Sequence, residues 1–396
     1  MKIVIINSGS SSIKYQLMSM PERTVICSGM IDRIGLETSN FTYKTTVNVI
    51  EETVPIPTHK MGLEKIAQFL MDEKVGVIKS KDEIAAVGHR VVHGGAVFSE
   101  TVEVTADVKN EIKELSALAP LHNPANLEGI VVAEAIFPQA KQVVVFDTAF
   151  HQTIPVIAHK YAIPNALLEE HKIRLYGFHG TSHKYVSEQA IAYLDKKAKI
   201  ICIHLGNGCS ITAIQDGKSI DHSMGFAPSN GLIMGTRCGD IDQSVVFYMV
   251  NTLGYSMDEV NAILLKKSGM LGLTGYSDLR DIEAEASNGN KECQLALAMN
   301  VYRIQKYIGA YTAVMNGLDA IVFTAGIGEN SSYIRKSVCT NMEFFGLELD
   351  DAKNDLRSKE IREINAPNAK TKILVIPTNE ELEIANQVYG LLNEAE

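Results

Sequence analysis

Ile5-Ile6-Asn7-Ser8-Gly9-Ser10-Ser11-Ser12-Ile13-Lys14-Tyr15-Gln16-Leu17 joins two apolar runs through a turn of small hydroxyl residues. The same plan returns in Ile201-Cys202-Ile203-His204-Leu205-Gly206-Asn207-Gly208-Cys209-Ser210-Ile211-Thr212-Ala213-Ile214. Each reads as strand, tight polar turn, strand. Two such hairpins, one opening each half of the chain, point to a duplicated domain with a cleft between the copies.

Outward from these hairpins, short β-type runs alternate with amphipathic helical stretches, so the class is α/β. Apolar strands are expected at 2–6, 142–146, 199–203, 320–324 and 372–376. Helices are expected at 60–72, 123–136, 183–194, 239–253, 290–317 and 380–392. Asn123 before Pro124 reads as a cap followed by a proline at the first helical position. Thr378 with Glu381 reads as a capping box. With no long polar linker, the chain is expected to cross between domains just after Phe146-Asp147-Thr148. That gives domains 1–148 and 149–381, with a last helix at about 382–396 returning to the first.

A chain of 396 residues exceeds one compact core, and 46% hydrophobic with 21% charged residues is ordinary for a globular enzyme. The net charge of −10 excludes a nucleic-acid or anionic-membrane surface, which would need excess Lys and Arg. Anionic substrates would therefore need local positive charge. Six scattered cysteines without a CxxC pair read as free thiols of a reducing compartment, and no apolar stretch approaches a membrane span. The N-terminus reads as a first strand rather than a signal peptide, so the expected compartment is the cytoplasm.

Several segments suit anion chemistry. In the first hairpin, Gly9 permits close backbone approach, while the hydroxyls and Lys14 can meet phosphate oxygens. A plain polar hairpin reads equally well, and no Walker loop is present. Ala325-Gly326-Ile327-Gly328-Glu329-Asn330 follows the strand Ile321-Val322-Phe323-Thr324. It is the third Gly-rich strand exit, and three together favour a nucleotide cleft over three ordinary turns. Arg90 in Gly88-His89-Arg90-Val91-Val92-His93-Gly94-Gly95 and Arg237 in Gly235-Thr236-Arg237-Cys238-Gly239-Asp240 offer planar forks for phosphate or carboxylate, Arg237 just ahead of an expected helix. A solvated surface charge is the ordinary alternative for each. In Tyr176-Gly177-Phe178-His179-Gly180-Thr181-Ser182-His183, His179 sits where a helix N-terminus favours anions, whereas His183 reads as structural. Asp147 at a strand's C-terminal end reads equally as a catalytic group or a cap. Glu380 reads by pattern as a helix-dipole acid.

Taken in order, the stretches NSGSSSIKYQL, GHRVVHGG, FDTAFHQTIP, YGFHGTSH, HLGNG, GTRCGD and AGIGEN closely resemble the acetate kinases, from Met1 to the final helix. That family lies within the group of sugar kinases, actin and heat-shock ATPases. The resemblance implies two ribonuclease H-like (actin-like ATPase) domains, with ATP in the cleft between them. It implies reversible, Mg²⁺-dependent phosphoryl transfer (Mn²⁺ as the alternative) between ATP and acetate, in a homodimer that binds neither nucleic acid nor membrane. Asn7 and Glu380 would hold the metal, with Lys14 near the phosphates. His204-Leu205-Gly206-Asn207-Gly208, Asp278-Leu279-Arg280 and Gly326-Ile327-Gly328-Glu329-Asn330 would contact the nucleotide. Arg90, Asp147, His179 and Arg237 would surround the transferred group, and Val92, Leu121, Phe178 and Pro228 would line the acid's pocket.

Three departures from the family pattern stand out. Ala227-Pro228-Ser229-Asn230 replaces an expected Thr-Pro-Leu-Glu, the loop around Asp278 is one residue shorter, and Cys238 stands in place of a small hydroxyl residue. An ionised acid needs no base, so the expected step is direct in-line transfer with Asp147 in an orienting role. Propionate or butyrate as the acid, another phosphoryl donor, and an actin-like protein that binds ATP and assembles without metabolic chemistry are the rival readings; the Arg90, His179 and Arg237 set argues against the last. Cys238 follows Arg237 and Cys209 follows the His204–Gly208 stretch; at least one of these thiols is expected to be reachable, with a pKa lowered by a nearby guanidinium or helix N-terminus, and small buried packing residues are the alternative reading for both.

Overall fold

A computed structural model of the chain describes residues 1–120 and 122–394. The chain forms two compact units, Met1–Phe150 with the segment from Asn379 onward, and His151–Thr378.

The first unit is built on β1 (Lys2–Ser8), β2 (Ser12–Ser19), β3 (Thr24–Asp32), β4 (Ser39–Thr45), β5 (Val49–Val54), β6 (Ile84–Val91), β7 (Val102–Glu103) and β8 (Lys141–Phe146). Their order is β5-β4-β3-β2-β1-β6-β8-β7. β1 to β5 form an antiparallel meander, whereas β6 and β8 run parallel to β1. Alternation along β1 assigns its two faces. Val4 and Ile6 pack with Leu63, Ile66 and Leu70 of the helix His59–Leu70 and with Ala133 and Ile136 of the helix Asn123–Ile136. Ile3 and Ile5 pack with Ile384, Ala385 and Val388 of the C-terminal helix Glu380–Glu394. Gly88 permits that last approach, because a Cβ there would lie 2.9 Å from the methyl groups of Ile384 and Val388.

The second unit holds β9 (Lys199–Leu205), β10 (Cys209–Gln215), β11 (Lys218–His222), β12 (Ala320–Thr324), β13 (Arg362–Glu363) and β14 (Lys372–Val375), in the order β11-β10-β9-β12-β14-β13. Here too an antiparallel three-strand meander continues into two parallel strands. β3-β2-β1-β6-β8 and β11-β10-β9-β12-β14 therefore share one topology. The fold is α/β with duplicated ribonuclease H-like units, each built around one of the two hairpins.

Several local readings are corrected. Asn123 lies inside its helix, and His122 holds the cap position without a side-chain bond. The Asn123 side chain is occupied elsewhere, on the backbone of His93. The last helix is capped by Asn379, whose Oδ1 accepts the Leu382 N–H at 3.0 Å, so Thr378 and Glu381 form no box. The helix expected at 239–253 is Gln243–Asn251, started by Asp242. Gly239, at φ +70°, holds the preceding loop in a left-handed turn, so Arg237 lies in that loop and not at a helix start. The helix expected from 183 begins at Gly180, and the Gly-rich exit after β12 folds as a short helix, Ala325–Asn330.

Candidate functional site

In the first unit the parallel register brings three strand exits to one edge. β1 ends on Asn7-Ser8, β6 carries Arg90 beside Val145, and Asp147 follows β8. Carboxyl ends of parallel strands are where α/β folds place their chemistry. Arg90 donates from Nε to Asp147 Oδ1 at 2.9 Å, from Nη2 to Oδ2, and from Nη1 to Asn7 Oδ1 at 3.3 Å. Burial alone would lower the Arg90 pKa, but the carboxylates of Asp147, Glu380 and Glu381 outweigh it and raise it. Burial pushes the Glu380 carboxyl up, Arg90 and Lys14 pull it down, and Asp147 and Glu381 push it up again. Lys14 is exposed on β2, opposite Asn7.

Two asparagines of one helix clamp these exits. Asn126 accepts the Val92 N–H at 3.1 Å and donates to the Ser8 carbonyl at 2.6 Å. Asn123 accepts the His93 N–H at 3.1 Å and donates to the His93 carbonyl at 3.0 Å. Sequence reading missed this use of both residues, because a cap and a long-range clamp look alike in one dimension. Val92 is buried beside the clamp. Leu121 lies outside the described residues.

In the second unit a cavity of about 800 Å³ is lined by Leu205, Gly206, Asn207, Asp278, Leu279, Arg280, Gly326, Ile327 and Asn330, all expected nucleotide contacts. Ile233, Met234, Met270, Asn300 and Arg357 also line it and were not anticipated. Ile233, Met234 and Met270 are apolar residues between Gly231, Gly235, Gly269 and Gly272, and Asn300 and Arg357 lie outside every quoted motif. His204, Gly208, Gly328 and Glu329 are not among its lining residues. Glu329 instead accepts the Thr378 N–H at 3.1 Å, and the carbonyls of Gly328 and Glu329 accept from the buried Arg335 at 2.9 and 3.0 Å.

The loop after β9 is packed on both sides. Asn207 lines the cavity and its carbonyl accepts the Gly235 N–H at 2.9 Å. A Cβ on Gly208 would lie 3.3 Å from His179 Cε1 and 3.6 Å from Arg237 Nη2, so glycine lets both side chains reach the loop. Arg237 donates to the Pro228 carbonyl, and among the described residues no carboxylate pairs with it. Burial lowers its pKa. Lacking a carboxylate partner, this partly buried guanidinium suits an anionic ligand.

Behind it lies an array of five imidazoles. His179 stacks on His204 at 4.4 Å between centroids, His151 lies 4.2 Å from His222, and His183 lies 5.2 Å from His222 edge-on. Burial and the neighbouring rings hold His183 and His222 well below the usual imidazole range. The Phe178 peptide is gripped from both sides: its N–H donates to His222 Nε2 at 3.1 Å, and its carbonyl lies 2.9 Å from His151 Nε2. Phe178 itself is fully buried. His179 sits at the helix start with φ +56°, a left-handed backbone that aims its ring at Ser210.

The thiol expectation is corrected. Burial pushes Cys209 up to about 12, only slightly offset by Arg237, and burial also raises Cys238. Neither is a thiolate at neutral pH.

A model of the Acetokinase family matches residues 2–386. The acetate kinase of Flavobacterium johnsoniae is 73% identical over 392 residues, covering 99% of this chain and 100% of that protein. The acetate kinase of Thermotoga maritima is 53% identical, covering 100% of this chain and 99% of its own. Among solved structures, Porphyromonas gingivalis acetate kinase superposes with a TM-score of 0.93 at 44% identity, over 99% of both chains. A propionate kinase from Francisella tularensis superposes with a TM-score of 0.92 at 44% identity, over 98% of both chains.

Proposed function

This chain belongs to the acetokinase family, and from that membership we propose that it transfers a phosphoryl group reversibly between ATP and acetate, giving acetyl phosphate and ADP. The observation that carries the reading is the loop at Asn207-Gly208. One flank of it lines the cavity of about 800 Å³, and the other meets His179 and Arg237, a guanidinium with no carboxylate partner among the described residues. A nucleotide in the cavity and an anion at Arg237 account for both flanks.

The residues divide the work. Leu205, Gly206, Asn207, Asp278, Leu279, Arg280, Gly326, Ile327 and Asn330 seat the nucleotide. His204, Gly208, Gly328 and Glu329 shape its loops from behind. Arg237 and Arg90 neutralise charge on the phosphoryl oxygens, and His179 donates a hydrogen bond to them. Phe178, Val92 and Pro228 are the apolar residues assigned to the acid's methyl group. An acetate oxygen attacks the γ-phosphorus; the new O–P bond forms as the bond to the bridging oxygen breaks, and that electron pair leaves with ADP. Acetate is already ionised at neutral pH, so no base is needed. Asp147 fits this, since both of its oxygens accept from Arg90 and it serves to orient the guanidinium.

Kinases of this kind use a divalent cation, and the oxygen donors Asn7 and Glu380 suit Mg²⁺ or Mn²⁺. Among the described residues no group of three His, Cys, Asp or Glu side chains is arranged as a metal cage. That fits an ion that keeps water and phosphate ligands. The carboxyls crowded at Glu380 supply the negative charge such an ion would relieve. Lys14 adds charge beside them. When bound, the cation shields the nucleotide's phosphates.

We also propose a homodimer. The helix Gln243–Asn251 is apolar yet buries none of its residues, leaving Phe247 62% and Tyr248 57% exposed. All six cysteines are free and, among the described residues, no helix is long and apolar enough to cross a membrane. These suit a cytoplasmic enzyme.

An assay coupling ADP formation to acetate, ATP and Mg²⁺ tests the reading, with kcat/KM compared across acetate, propionate and butyrate. Acetate is expected to lead. A higher value for propionate would assign the chain to the chemistry named for its Francisella relative, and no turnover with any acid would refute the proposal.

A further inference from the structure

Ser210 joins two histidines. Its hydroxyl lies 2.9 Å from His179 Nδ1 and 2.7 Å from His183 Nε2. A hydroxyl has one proton and two lone pairs; were both rings to donate to it, its own proton would have no acceptor among the described residues, so it donates to one ring and accepts from the other. Two arrangements satisfy the geometry, and they place the His179 proton on opposite nitrogens.

His183 decides between them. Its Nδ1 is buried and has no hydrogen-bond partner among the described residues. If Ser210 donated to His183 Nε2, the ring's proton would sit on that Nδ1 as an orphaned buried N–H, which folded proteins almost never tolerate. If His183 donates from Nε2 to Ser210, only a lone pair is left unmatched. Ser210 then donates to His179 Nδ1, and the His179 proton must lie on Nε2.

We infer that Ser210 and His183 are positioning residues that hold His179 as a neutral imidazole with its proton on Nε2, the nitrogen nearest the Gly208 position, where it donates to the phosphoryl group beside Arg237. The placement of Nε2 supports this: a Cβ on Gly208 would lie 3.4 Å from it and 3.6 Å from Arg237 Nη2. Protonating His179 at Nδ1 would reverse Ser210 and drive the orphan N–H onto His183. The relay therefore resists a charged His179 as well as the wrong tautomer. Positive charge at this unit's anion site comes from Arg237, and His179 contributes direction. The consequence for phosphoryl transfer rests on the function proposed above; the tautomer itself does not.

The test is ¹⁵N NMR of the histidine-labelled whole enzyme, with His179 and His183 assigned through their side-chain carbons. Long-range ¹H–¹⁵N correlations separate a protonated ring nitrogen from an unprotonated one. Both rings are expected to show a single form, protonated on Nε2 alone, whether or not the protein turns over acetate. A proton on Nδ1 of either ring in the wild type would overturn the inference. In Ser210→Ala, His179 is expected to populate the Nδ1–H form, and kcat to fall about tenfold with the nucleotide KM within about twofold, the loss of one orienting hydrogen bond. An unchanged tautomer together with an unchanged kcat in that variant would equally sink it. Should the variant fail to fold, the wild-type spectrum decides. Loss of acetate turnover in a wild type that shows the expected tautomers would count against the proposed function and leave the relay standing.

Discussion

Arg90 grips Asp147 with both arms of its fork, Nε on Oδ1 at 2.9 Å and Nη2 on Oδ2, while Nη1 reaches Asn7. Asp147 is 1% exposed, so the pair is held almost out of water. Such a pair is costly to break, because the remaining charge is left buried. Its value here is geometric: the fork is fixed in one plane, with Nη1 carried to the metal-ligand candidate Asn7.

Arg90→Ala is expected to lower kcat about 10²- to 10³-fold, since charge stabilisation is greatest during transfer. The stranded Asp147 should also cost about 3 kcal/mol of stability. Arg90→Lys should recover little activity, because an ammonium cannot hold both carboxylate oxygens in plane. Steady-state kinetics with urea unfolding checks both effects. A raised KM at wild-type kcat would remove Arg90 from the transition state.

Asn126→Ala strands the Val92 N–H and the Ser8 carbonyl in the interior. Two unsatisfied groups predict a loss of about 2–4 kcal/mol, and the exits of β1 and β6 should loosen. Asn126→Asp keeps the acceptor for Val92 but cannot donate to Ser8, so it should fall between. Urea midpoints for the two variants rank the two bonds, and kcat should fall with them if exit geometry positions Asn7 and Arg90.

Gly326 is exposed, lines the cavity, and has nothing within 4 Å of the place a Cβ would take. Gly326→Leu should therefore leave the melting temperature within about 2 °C while raising the nucleotide KM at least about tenfold. The KM for acetate should hold. Equal KM values for ATP in variant and wild type would move the nucleotide elsewhere.

Asp221 offers a pH signature. Burial pushes its carboxyl from 3.8 up to about 6, despite the His222 N–H it accepts at 2.7 Å. A raised folded value favours the protonated form, so its contribution is complete below about pH 4 and is lost as pH rises through about 6. Asp221→Asn keeps the acceptor without the charge. It is expected to stabilise the protein near neutrality by up to about 2–3 kcal/mol and to change little at pH 4. Urea midpoints measured between pH 4 and 7 should diverge in that order. Parallel curves would mean that Asp221 is solvated.

Class, duplication and motifs were legible in the order of residues alone. Hairpins, strand exits and the order NSGSSS, GHRVVHGG, YGFHGTSH, HLGNG, GTRCGD, AGIGEN are local in one dimension, because turns and apolar periodicity act over a few neighbouring residues. What the polar side chains do depends on the packed fold. Asn123 and Asn126 reach strand exits 30 or more residues away, Thr378 yielded its cap to Asn379, and Cys209 lost its thiolate to burial despite its neighbouring arginine. His151 and His222, distant in sequence, joined His179, His183 and His204 in one array. In each case the partner is chosen by packing. A buried donor or acceptor must be matched wherever the fold brings a complement, and that complement is invisible until the sheets have formed.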